Sequence, residues 1–321
     1  MFTIRPFNPT DAEYEAIAAL AKAVWVYDSP TAADYKHRDA GWDANYLFQR
    51  LVVEENGRLL AVANYNQTPW SYLPGKYQWG IAVHPDHERR GIGSAVYEHI
   101  QQVLQQQEPA PTLLVTGTRE DKPQSMRFLE KRGYQSTMRW LVSELDVSQF
   151  EPARFAGLRQ KLADEGIVIR VLPEQIEMDP HWQREIYDLD WQLTLDEPSP
   201  QPPTRLPFEQ YVHDFIEAHT VIMEAWWVAL HNGRYIGMTQ LNRDQHNPNG
   251  FETGFTGTLR DYRRRGIATA LKAIAIEYAQ QKGATAILTG NEENNPMYQI
   301  NVKLGFRPKT ADLAYEKKFG D

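Results

Sequence analysis

Two short segments decide the fold: Arg89-Arg90-Gly91-Ile92-Gly93 and Arg264-Arg265-Gly266-Ile267-Ala268. Each one follows an apolar stretch and opens an amphipathic one, so each predicts a strand-to-helix turn with arginines at the corner. Three further landmarks recur in the same order: Asn56-Gly57-Arg58 as Asn232-Gly233-Arg234, Gly133-Tyr134 as Gly305-Phe306 and, more weakly, Thr3-Ile4-Arg5 as Val168-Ile169-Arg170. An ordered series of repeats predicts two copies of one fold in the chain.

Each copy has the same predicted order of elements. A strand opens it, an amphipathic helix follows, and two strands joined by the Asn-Gly pair form a hairpin. A further strand leads into the arginine-rich turn and its helix, and a buried strand and a last helix complete the unit. The predicted strands include 2–7, 78–83 and 113–115 in the first copy and 167–172, 226–230, 235–241, 252–258 and 286–288 in the second. The pattern therefore predicts an α+β fold, with a mixed sheet flanked by helices in each copy.

The domain boundaries follow from the repeat. We predict an amino-terminal domain over 1–148, a helical connector over 149–165 and a carboxy-terminal domain over 166–321. Prolines crowd the second copy after its first helix and exclude helix or central strand there; they are Pro198, Pro200, Pro202, Pro203 and Pro207. This proline-rich stretch is therefore an internal loop of the second copy.

Composition excludes several classes of protein. The 321 residues carry 34 Lys and Arg against 42 Asp and Glu, a net charge of −8, which argues against a nucleic-acid partner. The absence of cysteine excludes disulfides, thiolate nucleophiles and cysteine-ligated zinc. The first residues contain no apolar segment typical of a secretory signal or a membrane span. We expect a cytoplasmic protein with no membrane partner, as a monomer or homodimer.

The arginine-rich turns have the features of an anion-binding site. The first turn of a helix presents unpaired N–H groups and the positive end of the helix dipole, and small residues let an anion reach them. The sequence has no Gly-Lys-Ser/Thr triplet, and Val96 and Leu271 stand where a dinucleotide-binding fingerprint needs a third small residue. The alternative is that both turns are merely tight and basic and bind nothing.

The two turns and the final helices carry a resemblance to a known family. The sequence resembles the GNAT superfamily of acetyl-CoA-dependent N-acetyltransferases, in tandem form. Its Q/R-x-x-G-x-G/A signature is matched by Arg263 to Ala268, whereas the first copy has Glu88 at the leading position. The family's last helix corresponds to Asn294 to Phe306 in the second copy and to Lys122 to Tyr134 in the first.

The resemblance implies that acetyl-CoA binds at these turns, with its pantetheine arm paired to the preceding strand and with no metal ion involved. In the second copy the implied cofactor-binding residues are Thr258, Leu259, Arg263, Arg264, Arg265, Gly266, Ile267, Ala268, Thr269 and Asn294. In the first copy they are Val83, Arg89, Arg90, Gly91, Ile92, Gly93 and Ser94. His84 and His87 look like a ligand pair but lack a third ligand nearby, which argues against a metal site.

Acetyl transfer to an amine needs a base, because an ammonium group has no lone pair. Glu252 lies on the strand before the second turn, where the family's histone-acetylating members carry a base glutamate; the first copy is predicted to have Tyr77 there. The alternative is a water-facing carboxylate at a strand edge. For the departing thiol the family often uses a tyrosine of the last helix, but Leu129 and Asn301 occupy that place. Tyr298 is a possible substitute or a packing residue, and Asn301 either orients the thiol or a water or has a structural role.

The predicted function is transfer of an acetyl group from acetyl-CoA to a primary amine of a small molecule. Arg263, Asn294 and Glu252 favour the second copy as the working half, while the first copy has Glu88, Lys122 and Tyr77 in their places. The acidic residues Glu185, Asp188, Asp190, Asp196 and Glu197 attract an amine or simply form a solvated helix face. The rival prediction is a non-catalytic acyl-CoA-binding or regulatory protein.

Overall fold

The computed structural model describes residues 1–25 and 29–319 of the chain. The chain divides into two compact units. The first consists of Met1–Thr137 together with Leu313–Asp321, and the second consists of Met138–Asp312. Both contain helices packed on a sheet with parallel and antiparallel neighbours, so the predicted α+β class with a mixed sheet is confirmed.

The first unit begins with a strand and a helical pair and continues through a run of strands. Its elements are β1 (Thr3–Pro6), α1 (Asp11–Val24), α2 (Ala32–Ala40), β2 (Phe48–Glu55), β3 (Arg58–Asn66), β4 (Lys76–Val83), α3 (Ile92–Leu104), β5 (Leu113–Arg119), α4 (Pro123–Glu130) and the start of β6 (Gln135–Asp146). The strand order is β1-β2-β3-β4-β5. Pairing is antiparallel from β1 to β4 and parallel between β4 and β5.

The second unit repeats this plan. After the short helix α5 (Ala156–Asp164) come β7 (Ile167–Val171), α6 (Leu172–Met178), α7 (Trp182–Thr194), α8 (Phe208–Tyr211), β8 (Val221–His231), β9 (Arg234–Arg243), β10 (Gly250–Thr258), α9 (Ile267–Gln281), β11 (Ala286–Glu292), α10 (Pro296–Leu304) and β12 (Arg307–Lys318). The strand order is β7-β8-β9-β10-β11-β6. The proline-rich stretch lies between α7 and α8 with no helix or strand, as predicted.

Local sequence explains the elements that frame each unit. Thr10 caps α1 by accepting the Glu13 N–H, and the helix buries an apolar face against the sheet, with Ile17 fully inaccessible. Both hairpins turn at the Asn-Gly pair, with Asn56 and Asn232 each at φ 52, the left-handed conformation that this turn requires. Among the described residues, no helix combines the length and apolar character needed to cross a bilayer.

The two units exchange their last strands. Residues from Met138 onward in β6 belong to the second unit, where β6 pairs antiparallel with β11, and residues from Leu313 onward in β12 belong to the first. The boundaries predicted at 148 and 166 treated each copy as one continuous segment. Because β6 and β12 occupy the same place in the repeat, their sequences do not show which copy's sheet each one joins. The connector contains two short 3₁₀ turns and α5.

In both units the parallel strands before and after the arginine-rich turn separate. β10 pairs with β11 only over Gly250 to Glu252, although it continues to Thr258. β4 likewise pairs with β5 only over Lys76 to Gln78 and continues to Val83. Each sheet is therefore open between these strands, on the side where the strand runs into its turn.

Candidate active site

The arginine-rich turn has the same backbone in both copies. Arg264 has φ 63 and Gly266 has φ 94, and Arg89 and Gly91 have φ 63 and φ 81. A non-glycine residue at positive φ is uncommon, so its repetition indicates a constrained turn. Left-handed residues bring successive N–H groups to one concave side, which is how backbone nests hold anions. Ile267 and Ile92 begin the following helices and are buried, anchoring each turn to its core.

Most arginine side chains of the second turn have protein partners. Arg263 donates to the Asp196 carboxylate at 2.5 Å and to the Thr258 carbonyl at 3.1 Å. Arg260 also pairs with Asp196, and the two guanidinium groups hold the pKa of that carboxyl below its usual range. Arg265 lies 3.7 Å from Glu165, and Arg264 is exposed. The Arg263 and Arg265 side chains therefore fix the turn to its surroundings.

The other predicted cofactor-binding residues surround these two turns. In the second copy Thr258 and Leu259 are buried at the end of β10, while Ala268 and Thr269 are half-buried in the first turn of α9. In the first copy Arg89 donates to Gln124, Arg90 to Glu55, and Ser94 accepts from Arg132. Val83 and Gly93 are half-buried. Asn294 is exposed, and its backbone N–H and its side-chain amide both donate to the Glu292 carboxylate.

The two glycines at the turns have different surroundings. A Cβ at Gly266 would lie 2.7 Å from Leu158 Cδ1 of α5, whereas a Cβ at Gly91 would meet no atom within 4 Å. Leu158 therefore packs against the second turn, and the first turn has no equivalent cover. Sequence reasoning missed this contact because nothing local links the connector to the turn.

Alanine at these glycines gives a matched test of that difference. Both substitutions force a Cβ into a left-handed residue, which costs about 1–2 kcal/mol. Gly266→Ala adds the clash with Leu158, so we expect it to be more destabilising than Gly91→Ala by about 1–2 kcal/mol. Urea denaturation of both variants measures this; equal losses would contradict the packing of Leu158 on Gly266.

Glu252 is the last residue of β10 that pairs with β11. It stands opposite Asn242 of β9 and Leu288 of β11, at the point where the two parallel strands separate. Asn66 of the first unit corresponds to Asn242 in the repeat. The residue opposite Asn66 is Gln78. The prediction that Tyr77 corresponds to Glu252 was wrong, and the first copy has the neutral amide isostere of glutamate at this position.

A β-bulge in the second copy explains the shift. The register of β10 against β9 breaks between Thr253 and Thr256, whereas β4 pairs with β3 without interruption. The bulge adds one residue between Glu252 and the arginine-rich turn, so counting back from the turn points to the wrong residue of β4. Bulges are over-represented beside active sites, where they redirect side chains.

Glu252 shares one face of the sheet with a set of amide side chains. Asn242 is opposite it, Gln240 lies two residues along β9, and Gln240 Nε2 donates to Asn242 Oδ1 at 3.4 Å. Gly257 continues this face, and a Cβ there would lie 2.7 Å from Leu193 of α7. The base candidate and two amides therefore lie on the α7 side, opposite the helix α9. Gln240 and Asn242 were missed because polar residues on a strand give no catalytic motif.

The space beside the separated strands differs between the units. In the first, Trp79 follows Gln78, donates to the Tyr134 hydroxyl at 2.8 Å and packs edge-to-face on Tyr97. The register gives Thr253 the place of Trp79, and the repeat gives Lys272 and Phe306 the places of Tyr97 and Tyr134. Three hydrogen-bonded or stacked aromatic rings in the first copy thus correspond to a threonine, a lysine and a phenylalanine in the second.

The last helix of the second unit places its predicted residues differently. Asn301 has no exposed surface, and its Nδ2 donates to Asn291 Oδ1 of β11. Tyr298 is half-buried in α10. Asn291 was not predicted, although it follows the predicted strand 286–288 and a polar residue so close to a buried strand was a usable signal.

The acidic residues near the proline-rich loop differ in their surroundings. Asp188 pairs with Arg205, and Asp196 pairs with the two arginines described above. Asp190 is half-buried in α7, next to buried Leu189. Burial, and secondarily the Glu197 carboxylate, raises the pKa of Asp190 to about 7. Asp190 is therefore partly protonated at neutral pH.

Comparison with known proteins agrees with this geometry. The chain matches the model of the "Acetyltransferase (GNAT) family" twice, over residues 14–134 and 184–306. It is 29% identical over 87 residues to S-(2-succino)cysteine N-acetyltransferase of Bacillus subtilis (strain 168), an alignment that covers 26% of this chain and 52% of that protein.

Two solved structures share the fold along the whole chain. A tandem GNAT protein from the clavulanic acid biosynthesis pathway superimposes with a TM-score of 0.74 at 18% identity, covering 100% of this chain and 99% of that one. A GCN5-related N-acetyltransferase from Sphaerobacter thermophilus gives a TM-score of 0.70 at 18% identity, covering 99% and 95%. With two matched segments that together span most of its length, the chain belongs to the acetyltransferase (GNAT) family.

Proposed function

We propose that the protein transfers an acetyl group from acetyl-CoA to a primary amine of a small molecule, and that its second copy carries out the reaction. The observation that carries this proposal is a difference between the two copies. At the same register position the second copy has Glu252 and the first copy has Gln78. A carboxylate can take a proton from an amine, and a carboxamide cannot. The β-bulge beside Glu252 supports the same choice.

The residues of the second copy fit an acetyl donor with an anionic end and an extended arm. The amides at Gly266 and at the start of α9 meet the diphosphate, helped by the positive end of the helix. The unpaired edge of β10 from Thr253 to Thr258 accepts the arm between the separated strands. When bound, acetyl-CoA supplies an acetyl group activated as a thioester.

Glu252 prepares the acceptor. Its carboxylate takes the proton of the incoming ammonium group, directly or through a water, so that the nitrogen lone pair becomes available. Asn242 and Gln240 offer amide donors and acceptors on the same face and orient the amine. Asp190, on the α7 side of this face, adds a carboxyl group that attracts a cationic acceptor when ionised.

The direct test is a thiol-release assay. Purified protein with acetyl-CoA is offered a panel of polyamines, amino acids and aminoglycosides, and free thiol is followed with a chromogenic disulfide. We expect acceptor-dependent release for at least one class. Tight binding of acetyl-CoA without release across the panel would instead favour a non-catalytic acyl-CoA-binding protein.

A matched pair of variants tests which turn holds the donor. Ala268 and Gly93 are the second residues of α9 and α3, where aspartate is compatible with the helix start but repels a bound diphosphate. We expect Ala268→Asp to weaken acetyl-CoA binding and lower kcat/KM at least tenfold, and Gly93→Asp to leave turnover nearly unchanged. The reverse pattern would assign catalysis to the first copy.

A further inference from the structure

The first unit contains a cavity that its arginine-rich turn does not line. The cavity lies between α1, α2 and the beginning of β2, has a volume of about 450 Å³ and opens to the surface. A cavity of this size is in the range of pockets that hold small molecules. All of its lining residues lie between positions 7 and 50, whereas the proposed acetyl transfer depends on the second unit.

A buried ion pair forms the floor of the cavity. The Arg50 side chain, 4% exposed, donates from Nη1 to Asp39 Oδ2 at 2.5 Å and from Nη2 to Asp39 Oδ1 at 2.9 Å. The Tyr14 hydroxyl also donates to Asp39 Oδ2, at 2.9 Å. A guanidinium has five N–H groups, and among the described residues only these two have an acceptor. Arg50 therefore keeps N–H groups for a ligand that supplies oxygen atoms.

The charged groups of the lining do not balance. Lys36 and Arg50 are cationic and Asp39 is anionic, which leaves one positive charge. Lys36 stands at the rim with 42% of its side chain exposed, and its partner Asp11 is a solvent-exposed carboxylate outside the lining. Exposed pairs of this kind are weak, because water and salt screen them. A ligand with a single negative charge would neutralise the cavity.

Aromatic rings form the side walls. The Arg50 guanidinium lies 5.1 Å from the ring centre of Phe7 and 5.1 Å from that of Phe48. Phe48 packs on Trp42 with 4.7 Å between ring centres, and Trp42 in turn contacts Trp70, which is 47% exposed. Pockets lined by rings take flat or apolar groups. The walls therefore suit an aromatic or apolar body joined to the anionic group.

The second copy does not have this arrangement. Asn66 and Asn242 correspond in the repeat, and counting two residues back along each strand and across to its neighbour leads to Arg50 in the first copy and to Trp226 in the second. Trp226 is 1% exposed and packs in the core of the second unit. The fold therefore accepts an apolar ring at this position. A buried ion pair adds little stability over apolar packing, so stability alone does not account for Arg50 and Asp39.

We propose that this cavity of the first unit binds a small monocarboxylic acid with an aromatic or apolar body. The carboxylate accepts from the unused N–H groups of Arg50 and is attracted by Lys36. The body lies against the rings of Phe7 and Phe48. The site uses none of the residues proposed for acetyl transfer. The first copy, which has Gln78 in the place of the base, thus has a binding function of its own.

Ligand-observed NMR on the full chain tests the proposal, with phenylacetate as the probe. Phenylacetamide has the same shape without the charge, and acetate has the charge without the ring. We expect phenylacetate to bind about tenfold more tightly than either compound, because only phenylacetate meets both the cations and the rings. Saturating CoA is present throughout, so that a donor site in the chain is already occupied.

Two variants locate the binding without disturbing the ion pair. Ala40 is an exposed residue of the lining at the end of α2, and Ala40→Trp fills the cavity from its rim. Ala19→Trp, on the exposed face of α1 outside the lining, is the matched control. We expect Ala40→Trp to abolish phenylacetate binding and Ala19→Trp to leave it unchanged. Thermal denaturation checks that both variants are folded.

A third variant tests the charge at the rim. Lys36→Met keeps an unbranched side chain and removes the ammonium group, so we expect it to weaken phenylacetate binding about three- to tenfold. The affinity for phenylacetamide should not change, since the neutral compound gains nothing from the cation.

Other results would overturn the proposal. Equal binding of phenylacetate and phenylacetamide would show that the carboxylate is not recognised. No binding of phenylacetate by the unmodified protein would show that Arg50 and Asp39 serve only to hold α2 on the sheet. Binding that survives Ala40→Trp, or that occurs only when CoA is left out, would place the ligand elsewhere in the chain. None of these results bears on acetyl transfer, which the thiol-release assay tests separately.

Discussion

Replacing Glu252 by glutamine is expected to lower kcat by about 10²–10⁴-fold while leaving the affinity for acetyl-CoA unchanged. The substitution keeps the shape of the side chain and removes only its ability to accept a proton. It also reproduces in the second copy what the first copy already has at Gln78. Steady-state thiol release gives kcat, and calorimetry gives the affinity for the donor.

The pH dependence of the variant adds a second readout. Without the carboxylate, the acceptor must lose its proton to solvent, so the rate of the variant should rise steeply as the pH approaches the pKa of the amine. Gln78→Glu serves as the matched control and should not change turnover, because the first copy lacks the bulge and has Trp79 beside the strand opening. A Glu252→Gln variant with normal kcat would place the base elsewhere.

Replacing Lys272 by methionine is expected to stabilise the second unit by about 2–4 kcal/mol at neutral pH. Lys272 is 3% exposed in α9, its ammonium group lies 5.4 Å from the centre of the Phe306 ring, and it has no ion-pair partner among the described residues. Burial lowers the pKa of Lys272 from 10.5 to about 7. Methionine keeps the unbranched chain and removes the group that resists desolvation.

The sign of the pH dependence follows from the same shift. Between about pH 7 and 10.5 the unfolded chain holds the Lys272 proton and the folded chain does not, so stability rises with pH across this window. Below about pH 7 both states are protonated, and the destabilisation is at its largest and constant. The advantage of Lys272→Met should therefore shrink as the pH is raised towards 10.5.

Urea denaturation at several pH values measures this, with Lys303→Met as the control. Lys303 is exposed on α10, and its removal should change the midpoint little at any pH. A stability difference between wild type and Lys272→Met that did not vary with pH would contradict the lowered pKa. A variant less stable than wild type would show that Lys272 has a stabilising contact in solution.

Local patterns predicted much of the fold. The Asn-Gly turns and the arginine-rich corners are set by residues next to one another, and the duplicated order gave the tandem architecture. The exchange of β6 and β12 could not be predicted, because both strands fit either sheet equally well by sequence. The bulge after Thr253 was also missed, since one extra residue leaves no mark on the apolar pattern.

For the candidate site, too, local sequence patterns pointed to some residues, and contacts between distant segments were missed. The turn residues and Glu252 were predicted from motif and strand position, and their roles stay predictions. Missed were contacts between residues far apart in sequence: Asp196 with Arg263, Leu158 with Gly266, and Asn291 with Asn301. Each depends on the tertiary fold and not on spacing along the chain. The position equivalent to Glu252 was misassigned for one physical reason, the inserted residue of the bulge.

The strand exchange has a consequence for synthesis. While the ribosome is still making the second half, the amino-terminal unit lacks the strand that Leu313 to Lys318 will provide. Its sheet keeps an exposed edge at β5 until β12 has been made, and such edges recruit other chains. The half made first is thus the half completed last, and a gene cut between the copies encodes two incomplete proteins.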